Sequence, residues 1–257
     1  MKRILTYSLA LAVSFFLASS QVARSQTCGQ GRTVGADIGS PAWYAGVGGG
    51  IPSGVATFSS FGSDGLGLGW SAEAYFGRKF NSVTSAEVSF SVGGASLSAR
   101  DCCVARGYWL GSDGTRYNAP VVDMEGWNYA DLRSSVSILK LDARLNVNIL
   151  GLVDRLKGCP WAVEVSPSVS VISANSNLSI IQSKESAGEG RSGWNLGAGA
   201  RLQLRRQLGK GIGVSVYSGA ACLVGKKIDG VPVHQHETNM LIENGLRLSW
   251  TFGGGND

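Results

Sequence analysis

From Trp43 onward, apolar and polar residues alternate with a period of two. In 66–76 the even positions Leu66, Leu68, Trp70, Ala72, Ala74 and Phe76 are apolar, and the odd positions are Gly, Ser, Glu and Tyr. A strand sends successive side chains to opposite faces, so this pattern predicts strand. It recurs in 43–51, 86–92, 139–149, 161–171, 194–204, 212–222 and 240–252. The most regular case is 139–149. There Leu139, Leu141, Ala143, Leu145, Val147 and Ile149 face one way and Lys140, Asp142, Arg144, Asn146 and Asn148 the other. Eight such segments have roughly the 9–11 residues of a tilted membrane-crossing strand.

The links between them alternate in length. Those at 52–65, 95–134, 172–193 and 223–239 are long; those at 77–83, 150–160 and 205–211 are shorter. With a periplasmic N-terminus every long link falls outside, as in outer-membrane barrels. A soluble sandwich has no reason for such a rule. The expected fold is all-β: an eight-stranded antiparallel up-and-down transmembrane β-barrel over 42–252, followed by a tail at 253–257, with no second domain.

Alternation alone does not say which row is buried. In a soluble sheet the apolar row is the core, whereas in a membrane barrel it meets lipid. Trp43, Phe76, Trp161, Trp250 and Phe252 all lie on the apolar row at the expected periplasmic end. They read as an aromatic girdle at a lipid–water boundary; the alternative is a set of rings capping a sandwich core. The polar row carries Glu73, Glu87, Asp142, Glu164 and Glu243 against Lys140, Arg144, Arg201, Arg205 and Arg247. Eight strands leave an interior that side chains fill, and unpaired charge there is heavily penalised. The balance predicts an interior salt-bridge network that plugs the barrel; the alternative is a solvated sheet face. Gly67, Gly69, Gly93, Gly197, Gly199, Gly213, Gly219 and Gly245 fall mostly on the same row, where long charged side chains need small neighbours.

Composition sharpens this picture. Glycine supplies 37 of 257 residues and charged residues only 16 %, while 44 % are hydrophobic. That excludes a disordered chain, and no Gly-X-Y period suggests collagen. The start has the form of a secretory signal peptide over 1–25: basic Lys2 and Arg3, an apolar run, then Ala23-Arg24-Ser25 before Gln26. A short periplasmic segment, 26–41, would follow. Removing 1–25 takes away Lys2, Arg3 and Arg24, so 23 − 3 = 20 bases face 18 acids and the net charge falls from +5 to +2. No basic cluster remains for nucleic acid. Cys28, Cys102, Cys103, Cys159 and Cys222 form no CxxC and no zinc spacing. Topology leaves open a bridge from Cys222 to Cys102 or Cys103, and another between Cys28 and Cys159.

At this point the chain resembles the small outer-membrane β-barrels of Gram-negative bacteria, the OmpA-type and OmpX-like class. The resemblance rests on pattern over the whole mature chain. Its last strand, 245–252, looks like the segment that the barrel-assembly machinery recognises in that class, although 253–257 follow the final aromatic residue. The resemblance implies outer-membrane lipid and the assembly machinery as partners, and an outer-membrane location.

Candidate chemistry is sparse. No dinucleotide, phosphate-loop or nucleophile-elbow motif occurs. His234 or His236 with Ser112 and Asp113 makes a formal His/Ser/Asp set, but nothing in the sequence brings them together. Barrels that transfer acyl chains resemble hollow, apolar-lined tubes, and lipid A deacylases keep their histidine in a strand; this chain fits neither. The expectation is no enzyme and no cofactor. The 95–134 link holds Tyr108, Trp109, Tyr117 and Trp127 around an expected Asp113-Gly114 turn. Such aromatics mark a surface contact or pack on one another to order the loop. The leading expectation is a plugged structural or surface-interacting barrel. An adhesin or surface-complex subunit acting through 95–134, a narrow porin and a secreted β-sandwich are the alternatives.

Overall fold

A computed structural model describes residues 41–153, 159–188, 190–209, 211–232 and 239–253. The proposed signal peptide, most of the 26–41 segment with Cys28, the two histidines and the end of the tail lie outside the described residues. Eight long strands carry the fold: β1 (Ala42–Val55), β2 (Trp70–Lys79), β3 (Thr84–Ala99), β4 (Leu132–Asn148), β5 (Trp161–Ile180), β6 (Arg191–Gly209), β7 (Ile212–Gly225) and β8 (Met240–Phe252). Each pairs antiparallel with its neighbours in sequence. β8 returns to β1, from Trp43↔Phe252 to Val55↔Met240. The ring is therefore a closed up-and-down barrel. Closure removes the unpaired N–H and C=O groups that a sheet edge would present.

The strands outrun their expected bounds, and the reason lies in their side chains. Along the lower part of β4, Leu139, Leu141 and Leu145 are exposed while Lys140, Asp142 and Arg144 are buried. Above Ile138 the assignment inverts. Leu132, Val136 and Ile138 are buried, and Arg133, Ser135 and Ser137 point out. β5 inverts at Val171-Ile172: Val171 is exposed, whereas Ile172, Ala174 and Leu178 are buried. β3 does the same between exposed Val92 and buried Ala95, Leu97 and Ala99. The switch points sit side by side, since Leu139 pairs with Val92 and Leu141 with Val171. Below that level the outside is apolar and the inside charged; above it the outside is polar and the inside is an ordinary hydrophobic core. A change of outer solvent from hydrocarbon to water demands that inversion.

The upper core is completed by the long links, which fold over the barrel mouth. Phe58, Tyr108, Leu110, Tyr129, Ile228 and Val231 join the inward residues of β3, β4 and β5 in one buried cluster. Phe58 meets Tyr129 edge-on at 5.4 Å, and Tyr129 meets Tyr108 at 5.8 Å. Asp229 fastens two links together: its carboxylate accepts the N–H of Phe58 at 2.8 Å and of Val231 at 3.2 Å. The hydroxyl of Ser134 on β4 donates to its carbonyl at 2.7 Å.

Three details differ from the sequence expectation. The strand expected from Leu66 begins at Trp70, because Phe61–Gly62 pairs with Gly65–Leu66 in a hairpin of its own. The 95–134 link shrinks to 100–131, since its ends continue β3 and β4. The alternation of link lengths is not strict: the link at 149–160 is longer than the one at 181–190.

Candidate functional site

The lower barrel interior is the most unusual part of the molecule, and strand parity builds it. Glu73 and Tyr75 come from β2, Glu87 from β3, Lys140, Asp142 and Arg144 from β4, Glu164 from β5, Arg201, Gln203 and Arg205 from β6, and Glu243 and Arg247 from β8. Arg144 reaches Glu73 at 2.9 Å and Glu87 at 2.8 Å, and also pairs with Asp142. Glu73 further meets Arg201 at 3.3 Å and Arg247 at 3.2 Å. Arg247 spans to Glu87 at 2.6 Å. Lys140 joins Asp142 at 3.1 Å and pairs with Glu243, which Arg201 approaches at 3.6 Å. Arg205 holds Glu164 at 2.7 Å, and Gln203 ties that pair to the rest, donating to Glu164 at 3.1 Å and accepting from Arg247 at 2.9 Å.

All ten charged residues singled out in the sequence thus meet in one connected network. Nine are at most 9 % exposed; Arg205 is half-buried. A water-filled channel would wet these side chains, so burial to this degree is the property of a filled barrel. Burying ions is costly unless each has partners, and here every carboxylate has at least one cation.

Three tyrosines complete the network. Tyr44, Tyr75 and Tyr217 occupy the same inward row and are buried. Arg247 lies over the Tyr75 ring at 3.5 Å and Arg201 over Tyr217 at 3.9 Å. The Tyr44 hydroxyl donates to Glu87 at 3.2 Å and accepts from Asn146 at 3.0 Å. Glycine makes the room: a Cβ at Gly46 would collide with the Tyr75 ring, and one at Gly50 would stand 2.8 Å from the Tyr217 hydroxyl oxygen. The signal was present in sequence, as tyrosines in phase with the charged row and glycines facing them.

The five aromatic residues at the turn end lie on the outward face. Trp43 stacks on Phe76 at 5.0 Å, Phe76 lies 6.4 Å from Phe252, and Phe252 lies 6.2 Å from Trp250. Trp161 stands apart on β5 under Arg206, at 5.2 Å. Trp70 and Trp194 are exposed on the outward face nearer the loop end. Trp194 lies twelve residue steps along β6 from Arg206, the partner of Trp161. At about 3.3 Å per residue and a tilt of about 40°, that spans roughly 30 Å, close to a bilayer core.

The four loop aromatic residues differ in exposure. Tyr108 and Trp109 are only 5 % and 4 % exposed, and Tyr117 and Trp127 are half-buried. Trp109–Gly111 pairs with Arg116–Tyr117 and with Gly126–Asn128, and Trp109 packs on Tyr117 at 5.7 Å. These rings pack against one another and order the loop, with Tyr117 and Trp127 still partly exposed. Asp113 serves the turn: it accepts the Thr115 N–H at 2.9 Å and the Tyr117 hydroxyl at 2.8 Å. Those bonds hold its carboxyl below the ordinary range and push the Tyr117 phenol up. Cys222 sits exposed on the outward row and forms no bridge to Cys102, which is also exposed. Cys103 is buried, its sulfur 3.7 Å from the Thr57 carbonyl. Among the described residues no cluster could hold a metal ion.

No protein-family model and no curated protein sequence matches the chain. Solved structures do. Neisserial surface protein A is 11 % identical, with 82 % of this chain and 97 % of that one covered at a TM-score of 0.41. The attachment invasion locus protein Ail of Yersinia pestis is 10 % identical over 80 % and 98 %, at 0.42. A major outer membrane protein of Thermus thermophilus is 13 % identical over 82 % and 99 %, at 0.42. At these scores the closed ring of strands, not the likeness, carries the assignment of the fold.

Proposed function

We propose that this chain is an integral outer-membrane β-barrel with a sealed interior, whose role is structural or exerted by its outer face. The supporting observation is the pairing of an apolar outward row with a buried ion network inside. An apolar exterior needs lipid, and a lumen closed by salt bridges conducts nothing. The barrel-assembly machinery and outer-membrane lipid are the partners this reading requires, with the 245–252 segment as the assembly signal. A catalytic role for Ser112 and Asp113 is disfavoured by the engagement of both Asp113 oxygens in the turn. An adhesin built on the aromatic residues of the 95–134 link is disfavoured by their packing.

The test is conductance. The purified protein, reconstituted into planar bilayers, should give no stepwise current. Discrete steps for the unmodified barrel would replace this reading with a narrow porin.

A further inference from the structure

A cavity of about 550 Å³ opens at the loop end between β5, β6 and the 226–232 segment. Its size falls in the range of small-ligand sites, about 300–1,000 Å³. Arg191, Lys226 and Lys227 bring positive charge, and Ala174 and Val231 give it an apolar wall. Asn195 faces it from β6. The residue is 2 % exposed, and among the described residues neither its Nδ2 nor its Oδ1 has a hydrogen-bond partner. A buried amide with both ends unmet is uncommon, because each group gives up water for nothing.

The surroundings are shaped around these groups. The Lys226 stem lies across Gly193, where a Cβ would come within 2.7 Å of its Cδ. Gly225 leaves room for the Asn195 oxygen, which a Cβ there would approach to 2.7 Å. Arg191 Nη2 donates to the Gly114 carbonyl at 3.3 Å, using one of five N–H donors.

We propose that this cavity binds a phosphorylated sugar. The phosphate answers the bases, as an anion with several acceptor oxygens. A sugar hydroxyl both donates and accepts, so it answers both ends of the Asn195 amide. The C–H face of the ring suits Ala174 and Val231. A bare anion would leave the amide oxygen unmet, and a neutral sugar would not answer the charge of Arg191 and Lys226. The phosphosugar arrives either free in solution or as the headgroup of a glycolipid; Trp194, exposed on the outer face beside Asn195, puts the cavity near headgroup level.

The test is a calorimetric titration of the detergent-solubilised full barrel with glucose 1-phosphate. Saturable binding is expected, with glucose and inorganic phosphate each at least about tenfold weaker. Asn195→Ala should weaken it about tenfold, the effect of one or two hydrogen bonds. It removes a group without partners, so the variant should keep the heat-modifiable gel mobility of a folded barrel. Lys226→Ala should weaken binding and flatten its salt dependence. A second titration uses nanodiscs with and without a phosphorylated glycolipid. Loss of glucose 1-phosphate binding only in the glycolipid discs identifies the lipid source, and binding in both identifies the soluble one. No saturable binding in detergent or glycolipid-free nanodiscs, or unchanged binding by folded Asn195→Ala, overturns the proposal.

Discussion

Glu73→Gln is expected to destabilise the barrel by about 3–5 kcal/mol, the usual cost of removing one partner from a buried ion pair. Glu73 sits between Arg144, Arg201 and Arg247, each within 3.3 Å. Its neutralisation leaves three guanidinium groups with one fewer carboxylate in a space closed to water. Urea unfolding of the folded barrel in lipid vesicles, followed by tryptophan fluorescence, measures the loss. Arg144→Met should cost a comparable amount, since it strips Glu73, Glu87 and Asp142 of a shared cation. The double variant should cost less than the sum, because both changes break the Glu73–Arg144 contact. The control is the Arg133–Asp64 pair, whose side chains are 45 % and 29 % exposed. Arg133→Ala should cost less than about 1 kcal/mol. If Glu73→Gln falls within about 0.5 kcal/mol of the parent, the network contributes no more than a solvated face does.

Phe58→Ala should act elsewhere. The ring is fully buried in the upper core, against Tyr129. Truncating a buried Phe costs about 3–5 kcal/mol. Here the loss falls on the cap, because the cluster joins links to strand tops while the ion network lies below. The expected result is rapid proteolysis of the 100–131 link with the heat-modifiable barrel core retained. Simultaneous loss of both would mean that cap and barrel form one cooperative unit.

The lower barrel is legible in the sequence because its two rows differ in kind. Leu139, Leu141 and Leu145 against Lys140, Asp142 and Arg144 admit only one phase. The upper barrel is not, because the phase reverses. Ile138-Leu139 and Val171-Ile172 are adjacent apolar pairs where a period of two breaks, so the strand pattern stops there although the strand continues. The residues beyond, such as Val136 and Leu97, form the upper core, yet no alternation with the lower strand marks them. Inward-facing charge at ten positions can be read from parity. The partners of each charge cannot, since they depend on the stagger of strands around the ring. The cavity at Asn195 is hidden for a further reason. It is assembled from residues on β5, β6 and the 226–232 segment, and an isolated asparagine in a strand carries no signal of its own.

An apolar outer row that faces lipid around a filled, closed barrel is tested most directly by membrane fractionation combined with gel mobility before and after boiling. The protein should float with the outer membrane and migrate as a compact species until heated. Recovery in the soluble periplasm, with one mobility at both temperatures, would contradict a lipid-facing barrel.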